Sequence, residues 1–470
     1  MRRKMKIGCI VIGDKMTYTK KSLAEQEELE LDEAQSNERW DRPVDENVLK
    51  MVRERVGGAV PRDAEIFYRH VTTENEILDM DEADAYVVIP FGKVDDFKCL
   101  GHATNDVVFA ALYAKNKPVV FSIFPYEEIW SYGAVWHVYF LRDYRKLDAY
   151  MNLPNQAFVS KDPEDLKKIL AALNVKYKVT NSTALFVGEP MYEPFHSWNW
   201  GYEMVRAIQA KFGIKYKQVS ADKFLKLFKA YDKEVSQDEI KDILKYDRTD
   251  GMDLTGPVKV YHLLRDLIDE NDADVFTINC LWSVCHTAIN ATSCYALGRL
   301  NEEGTISACE GDTTSLLDMM ITAYAADGPA FMCNPYLFPE DNKLFVSHCT
   351  SARNHCYGCD GCGAMDEINA YDYFEIPGMP SGLQILKEEG PVTLTCISHD
   401  QMDKMVVVRA NIVRNTAFPT CRTQVEMDVQ GDIKDIDLAM DGRHWMMVYG
   451  DQSEKIKLAN DMLGIETKIF

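Results

Sequence analysis

Ser307-Ala-Cys-Glu-Gly-Asp312, Phe331-Met-Cys-Asn-Pro335 and Phe345-Val-Ser-His348 are three short apolar runs. Each ends at or just before a side chain that can hold a metal ion or move a proton. The segment between the first two has helical composition. Short apolar strands alternating with helices predict an α/β sheet, and open α/β sheets take ligands in the crevice beyond the carboxyl ends of their strands. Glu310, Asp312, Asn334 and His348 fall at those ends, so the stretch reads as an active site with Glu310, Asp312 and His348 as its catalytic groups. Each also has a structural reading. Acidic groups just ahead of a helix are favoured by its dipole without any catalytic role, and a histidine at a strand end can be satisfied by its neighbours.

Working outward, residues 6–12, 85–89 and 118–124 are continuous apolar strands, with helical patterns at 45–55 and 105–114. Such alternation predicts a parallel sheet covered on both faces. The pattern then restarts: a strand at 183–187, a helix at 199–212 closed by Gly213, a strand at 214–219, helical stretches at 237–246 and 258–269, a strand at 274–278 and a helix at about 285–300. The charged segment 223–253 reads as a solvated helical face. Beyond about Lys343 the runs at 391–397, 404–413 and 422–427 have strand composition with no helix between them, which predicts an antiparallel domain. A strand at 445–449 and a helix at 453–463, closed by Gly464, complete the chain. The expected fold is α/β: two successive doubly wound parallel-sheet domains, at 1–175 and 176–340, followed by a C-terminal antiparallel β-barrel-like domain at 341–470.

A chain of 470 residues exceeds one ordinary core, and 46% hydrophobic with 27% charged residues marks it as globular. A formal charge of -22, from 74 acidic against 52 basic residues, repels nucleic acid and anionic membranes, so neither is an expected partner. The opening Met1-Arg-Arg-Lys-Met-Lys6 is followed by an apolar run of strand length without a small-residue cleavage site, which argues against a signal peptide and for the cytoplasm. The 13 cysteines then read mainly as buried small hydrophobes in a reducing compartment. Cys356, Cys359 and Cys362, with His355 and Cys349 nearby, have a spacing that can hold zinc or an iron–sulfur cluster. The second CxxC pair of a usual zinc site is missing, and a thiol-rich loop is the alternative.

Six motifs recur together in the last third: Ala308-Cys-Glu-Gly-Asp312, Pro329-Ala-Phe-Met-Cys-Asn-Pro335, Ser347-His-Cys-Thr350, Cys421-Arg-Thr-Gln-Val425, Gly442-Arg-His444 and Gly450-Asp451. On these the chain resembles the L-fucose isomerase-like family, within the fucose/arabinose isomerase superfamily. The resemblance covers 305–465; the earlier residues match only in organisation. It implies an aldose–ketose isomerase acting through an enediol(ate) on an open-chain sugar, with a divalent cation, usually Mn²⁺, and assembly as a trimer or hexamer. The family's glutamate and histidine ligands fall on Glu310 and His444. Its aspartate falls on Asn334, a departure: an amide oxygen can bind a cation or a sugar hydroxyl but cannot accept the proton a carboxylate could. Glu310 then needs Asp312 or His348 as its partner. A ligand set of Glu310, Asn334, His348 and His444 suits Mn²⁺, Fe²⁺ or Zn²⁺ better than Mg²⁺.

Two further residues are candidate sugar contacts. Arg422 could clamp an anionic group, with an inter-strand salt bridge as the alternative. Trp198 could cover the sugar, or simply pack at a helix start. Three other functional readings stay open: an isomerase of a sulfonated or phosphorylated hexose, a non-catalytic sugar-binding relative, and a zinc or iron–sulfur protein built on the Cys356 to Cys362 loop. The sugar itself is not legible, because a metal core of this kind touches only O1 and O2.

Overall fold

The computed structural model describes residues 3–13, 44–72, 74–90, 104–122, 142–151, 155–191, 198–236, 238–240, 251, 253–281, 286–338, 340–357, 367–373 and 375–470. The chain divides into two compact units, Met1–Tyr177 and Lys178–Phe470. The helix read at 237–246 lies mostly outside the described residues. Among the described residues no helix is long and apolar enough to cross a membrane.

The first unit is built on β1 (Met5–Ile12), β2 (Ala64–Val71), β3 (Ala85–Pro90), β4 (Val119–Ser122) and β5 (Ala157–Ser160), in the order β2-β1-β3-β4-β5. All four pairings are parallel. The chain leaves β1 for one edge and returns past it to β3, which makes the sheet doubly wound. Ile7, Cys9, Ile10, Val87 and Val88 are fully buried because both sheet faces are covered. Helix α1 (Glu46–Gly57) shows how the sequence sets the layers. Asp45 caps it by accepting from the Val48 amide at 2.9 Å, and Val48, Val52 and Val56, four residues apart, bury one face.

The second unit joins two sheets. One is parallel, in the order β7-β6-β8-β9, from β6 (Thr183–Val187), β7 (Lys215–Val219), β8 (Val275–Ile278) and β9 (Ile306–Ala308). The other comprises β10 (Phe331–Phe338), β11 (Lys343–His348), β14 (Gly390–Ile397), β15 (Lys404–Asn415), β16 (Thr423–Val429), β17 (Trp445–Tyr449) and β18 (Glu466–Ile469), with β12 (Glu367–Asp372) and β13 (Pro380–Leu386) as a separate pair. The order β14-β17-β10-β11-β16-β15-β18 is closed by a further β14–β15 pairing into a barrel. Leu344, Val346, Leu394, Val408, Met427 and Trp445 are among the residues that fill it. The predicted fold class is thus the observed one.

One placement differs. The sequence pattern places the strand carrying Asn334 in the second parallel sheet, yet β10 pairs antiparallel with β11 and β17 and belongs to the barrel. Its apolar run looks parallel because it is covered on both sides. Phe331 and Cys333 enter the barrel core, while the Met332 sulfur accepts the Cys309 amide at 3.3 Å from β9's side. The strands that carry the candidate residues therefore meet across a seam between two sheets, not in one row.

Helix α2 (Thr313–Ala326) lies along that seam, buried from Thr313 to Ala323. Asp318 pins it to the barrel: its carboxylate accepts from the Thr395 hydroxyl at 2.6 Å, the Thr322 hydroxyl at 3.0 Å and the Ile397 amide at 2.9 Å. Burial outweighs these bonds and pushes the Asp318 carboxyl up, from 3.8 to about 6. Because the folded value is the raised one, Asp318 contributes most to stability when protonated, below about pH 4, and that contribution is lost as pH rises through about 6. The loss amounts to about 3 kcal/mol. Urea unfolding of Asp318→Asn should lack this decline between pH 4 and 7; an unchanged pH slope would refute the assignment.

Candidate metal and active site

The acidic motif turns between β9 and α2 under visible constraint. Glu310 and Gly311 are consecutive left-handed residues, with φ of 62° and 69°. For Glu310 that conformation costs about 1–3 kcal/mol, and it persists where surrounding contacts dictate it. They do so here. Met191, just past β6, donates its amide to Gly311 O at 2.9 Å and accepts from the Thr313 amide at 3.3 Å. Asn279, just past β8, donates its side-chain amide to Glu189 O at 2.9 Å. A Cβ on Gly311 would lie 3.0 Å from Asn279 Cβ and 3.1 Å from Glu189 O, so the turn requires glycine. The carboxyl ends of three parallel strands thus hold Glu310 in place.

Asp312 ends the turn as the cap of α2. It accepts from the Ser315 amide at 3.1 Å, the Ser315 hydroxyl at 2.6 Å, the Thr314 hydroxyl at 3.1 Å and His444 Nδ1 at 2.9 Å. Burial alone would push its carboxyl up. The hydrogen bond from His444 and the charges of His399 and His444 more than offset this, and it lies well below the ordinary carboxylate range. With every oxygen engaged, Asp312 acts as a holder of His444.

From the barrel come His348, at the end of β11, and His444, directly before β17. Their rings stand edge to face, 5.8 Å apart at 71°. His348 Nε2 lies 3.6 Å from one Glu310 carboxylate oxygen and His444 Nε2 lies 3.6 Å from the other. On the far side of each ring Nδ1 is engaged, by Asp312 for His444 and by the Thr350 hydroxyl at 3.2 Å for His348. Burial raises the Glu310 carboxyl, but the imidazole of His348 and the charges of His444, His348 and Arg443 outweigh it and bring it down to about 2. Gly442 lets the His444 segment pass: a Cβ there would lie 2.4 Å from Cys396 Sγ and 2.6 Å from His399 Nε2.

These contacts fit a cation. A separation of 3.6 Å is too long for a hydrogen bond, whereas donors about 2.1 Å from a shared ion stand about 3.0–3.5 Å apart. His348 is 3% exposed, and its buried Nε2 has no hydrogen-bond partner among the described residues. Among the described residues, the donor atoms of Cys309, Glu310 and His348 form a group lying within 4.8 Å of one another.

The remaining sequence candidates are placed as follows. Asn334 is half-buried on β10 opposite Ser347, on the strand face it shares with Met332. Arg422 is bound to Asp372, through Oδ1 at 2.6 Å and the backbone oxygen at 3.0 Å, and covers the Tyr371 ring. Gly382 makes room for it, since a Cβ there would lie 2.9 Å from Arg422 Cγ. Arg422 therefore forms the ion pair that was its alternative reading. Trp198 opens a helix (Trp198–Phe212), and its side chain lies outside the described residues, as do Cys359 and Cys362; Cys356 is half-buried. Two residues were missed. Cys309 sits inside the quoted motif but falls under the general reading of the cysteines as buried small hydrophobes, and His399, 2% exposed just beyond β14, carries the same strand-end signal as His348. Burial draws His399 below its ordinary value, against the charge of Asp312.

No protein-family model matches the chain. Two curated relatives do: the sulfoquinovose isomerases of Priestia aryabhattai and of Priestia megaterium (strain ATCC 12872 / QMB1551), each 25% identical over 213 residues, covering 43% of this chain and 45% of the relative. The chain thus spans about half the length of the curated relatives it matches, and over that span it is a distant homologue of a sugar isomerase.

Proposed function

We propose that this protein is a divalent-metal-dependent aldose–ketose isomerase acting through an enediol(ate) on an open-chain anionic hexose, with a sulfonated hexose as the first substrate to test. The observation that carries the reading is the Glu310 carboxylate set between two buried imidazole nitrogens, each 3.6 Å from a different carboxylate oxygen. Homology to sulfoquinovose isomerases supports the reaction class and favours the anionic sugar over a neutral one. The motif resemblance to L-fucose isomerase-like enzymes over 305–465 supports the same chemistry, and from it we extend the proposal to a homo-oligomeric, cytoplasmic enzyme.

Glu310, His348 and His444 would hold the cation, with Asn334 as a further oxygen donor. When bound, the ion supplies positive charge that lowers the cost of negative charge building on neighbouring sugar oxygens. Glu310 stays ionised throughout the neutral range and contributes charge, not a proton. Asp312 keeps a proton on His444 Nδ1, so the Nε2 lone pair faces Glu310. The Thr350 hydroxyl, 3.2 Å from His348 Nδ1, is able to accept the corresponding proton from the second ring. Arg443 is exposed beside His444 and its charge acts on Glu310, which makes it our candidate contact for the substrate's anionic group.

The test is isomerisation in deuterated water. Sulfoquinovose, a hexose phosphate and L-fucose are each incubated with protein loaded with Mn²⁺, Co²⁺ or Zn²⁺, and ketose formation, deuterium at C1 of the ketose and deuterium at C2 of the recovered aldose are read by NMR. Turnover of the sulfonated sugar with deuterium uptake is expected. Absence of exchange from every sugar with every metal would end the proposal.

A further inference from the structure

We propose that the sulfur of Cys309, as thiolate, binds the same cation as Glu310 and His348, giving the centre a mixed nitrogen, oxygen and sulfur donor set. The inference rests on the metal-dependent reading above and specifies the class of cation. Cys309 Sγ, a Glu310 carboxylate oxygen and a His348 ring nitrogen already lie within 4.8 Å of one another. Donors about 2.0–2.3 Å from a zinc-class ion stand about 3–4 Å apart, so small side-chain adjustments bring all three onto one ion. The second sign is His348 itself: 3% exposed, its Nε2 is turned to Glu310 and makes no hydrogen bond among the described residues.

The Cys280 contact, burial and the charge of Glu310 push the Cys309 thiol well above its ordinary value, so the thiolate forms here only when a cation displaces its proton. The Cys309 amide donates to the Met332 sulfur at 3.3 Å, which anchors the residue at its backbone. Its Sγ lies 3.5 Å from Cys280 Sγ. Once Cys309 is a thiolate, the Cys280 S–H is the only donor that contact can have, and it serves as an outer hydrogen bond to a metal ligand. Coordination breaks one S–H bond and forms one sulfur–metal bond, with the proton released to solvent. A thiolate is a soft ligand, so the set favours Zn²⁺, Co²⁺ or Fe²⁺ over the Mn²⁺ expected from the motifs, and over Mg²⁺.

The experiment is cobalt titration of the chelator-stripped full chain under anaerobic conditions, with bound metal measured in parallel. About one Co²⁺ per chain should bind with a near-ultraviolet thiolate-to-cobalt charge-transfer band. Cys309→Ser should keep cobalt but lose the band, and its preference for Zn²⁺ over Mn²⁺ should fall about tenfold or more. Cys359→Ser, in the cysteine-rich segment of the sequence, should leave the band intact. Cobalt bound without the band overturns thiolate ligation while leaving the metal-dependent reading standing. A band that survives Cys309→Ser also overturns it, and failure to bind any cobalt overturns both. Should Cys309→Ser not fold, X-ray absorption of the unmodified zinc form decides: one sulfur in the first coordination sphere supports the inference, and an all-nitrogen-and-oxygen sphere refutes it.

Discussion

Glu310→Gln should abolish cation retention and lower kcat/KM for isomerisation by about a thousandfold. The substitution preserves shape, and glutamine meets no more strain than glutamate at φ 62°. What changes is charge and valence. Glu310 offers an anionic oxygen to each of two imidazole nitrogens 3.6 Å away. An amide offers one neutral oxygen and turns an N–H₂ toward the other ring, where a cation would have to sit. The cation loses its one fully anionic oxygen ligand among these three groups, and the amide hydrogens point into its place. Metal content per chain and sugar turnover are the readouts, with circular dichroism to confirm folding. A Glu310→Gln protein that keeps one ion per chain and a tenth of the rate would remove Glu310 from the centre.

Asp312→Asn should leave the protein folded yet weaken cation binding by about 10–100-fold. Asparagine is as good a helix cap as aspartate, and its oxygen can keep the Ser315 amide and the Thr314 hydroxyl, 3.1 Å from Oδ1 now. The other oxygen accepts from His444 Nδ1 at 2.9 Å. Replaced by N–H₂, that atom becomes a donor, and His444 can meet it only by moving its proton to Nε2. The lone pair that faces Glu310 is then lost, although no ligand has been mutated. Calorimetric titration with Mn²⁺ or Zn²⁺, alongside the thermal midpoint, separates the two effects. Unchanged affinity would show that Asp312 serves as a helix cap alone. A large fall in thermal midpoint with affinity lost in proportion would show that its role is purely structural.

Both predictions concern residues that the sequence puts forward as candidates and whose contacts it does not give. Glu310, Asp312, His348 and His444 are picked out by strand ends and by recurring motifs. That Asp312 holds a histidine depends on the approach of residue 444 to residue 312, which no local spacing encodes. Arg422 illustrates the converse. A basic residue on a strand reads as an anion clamp or, more commonly, as an ion pair, and only the fold shows Asp372 arriving from a separate hairpin to pair with it. Cys309 was overlooked because a thiol in a buried turn looks like packing until its distance to a carboxylate and an imidazole is known.

The amino-acid sequence determined the layers by itself. Continuous apolar strands alternating with helices require a parallel sheet covered on both faces, and strands with no helices between them require antiparallel pairing, because these periodicities are local consequences of backbone geometry and burial. Only the tertiary structure decided which sheet β10 and β11 join. A strand covered on both sides by a barrel core and a neighbouring sheet shows the same apolar run as one inside a parallel sheet. It also decided which oxygens and ring nitrogens face one another across the seam, since those distances come from long-range closure of the barrel against β9 and α2 and leave no periodic trace in the chain.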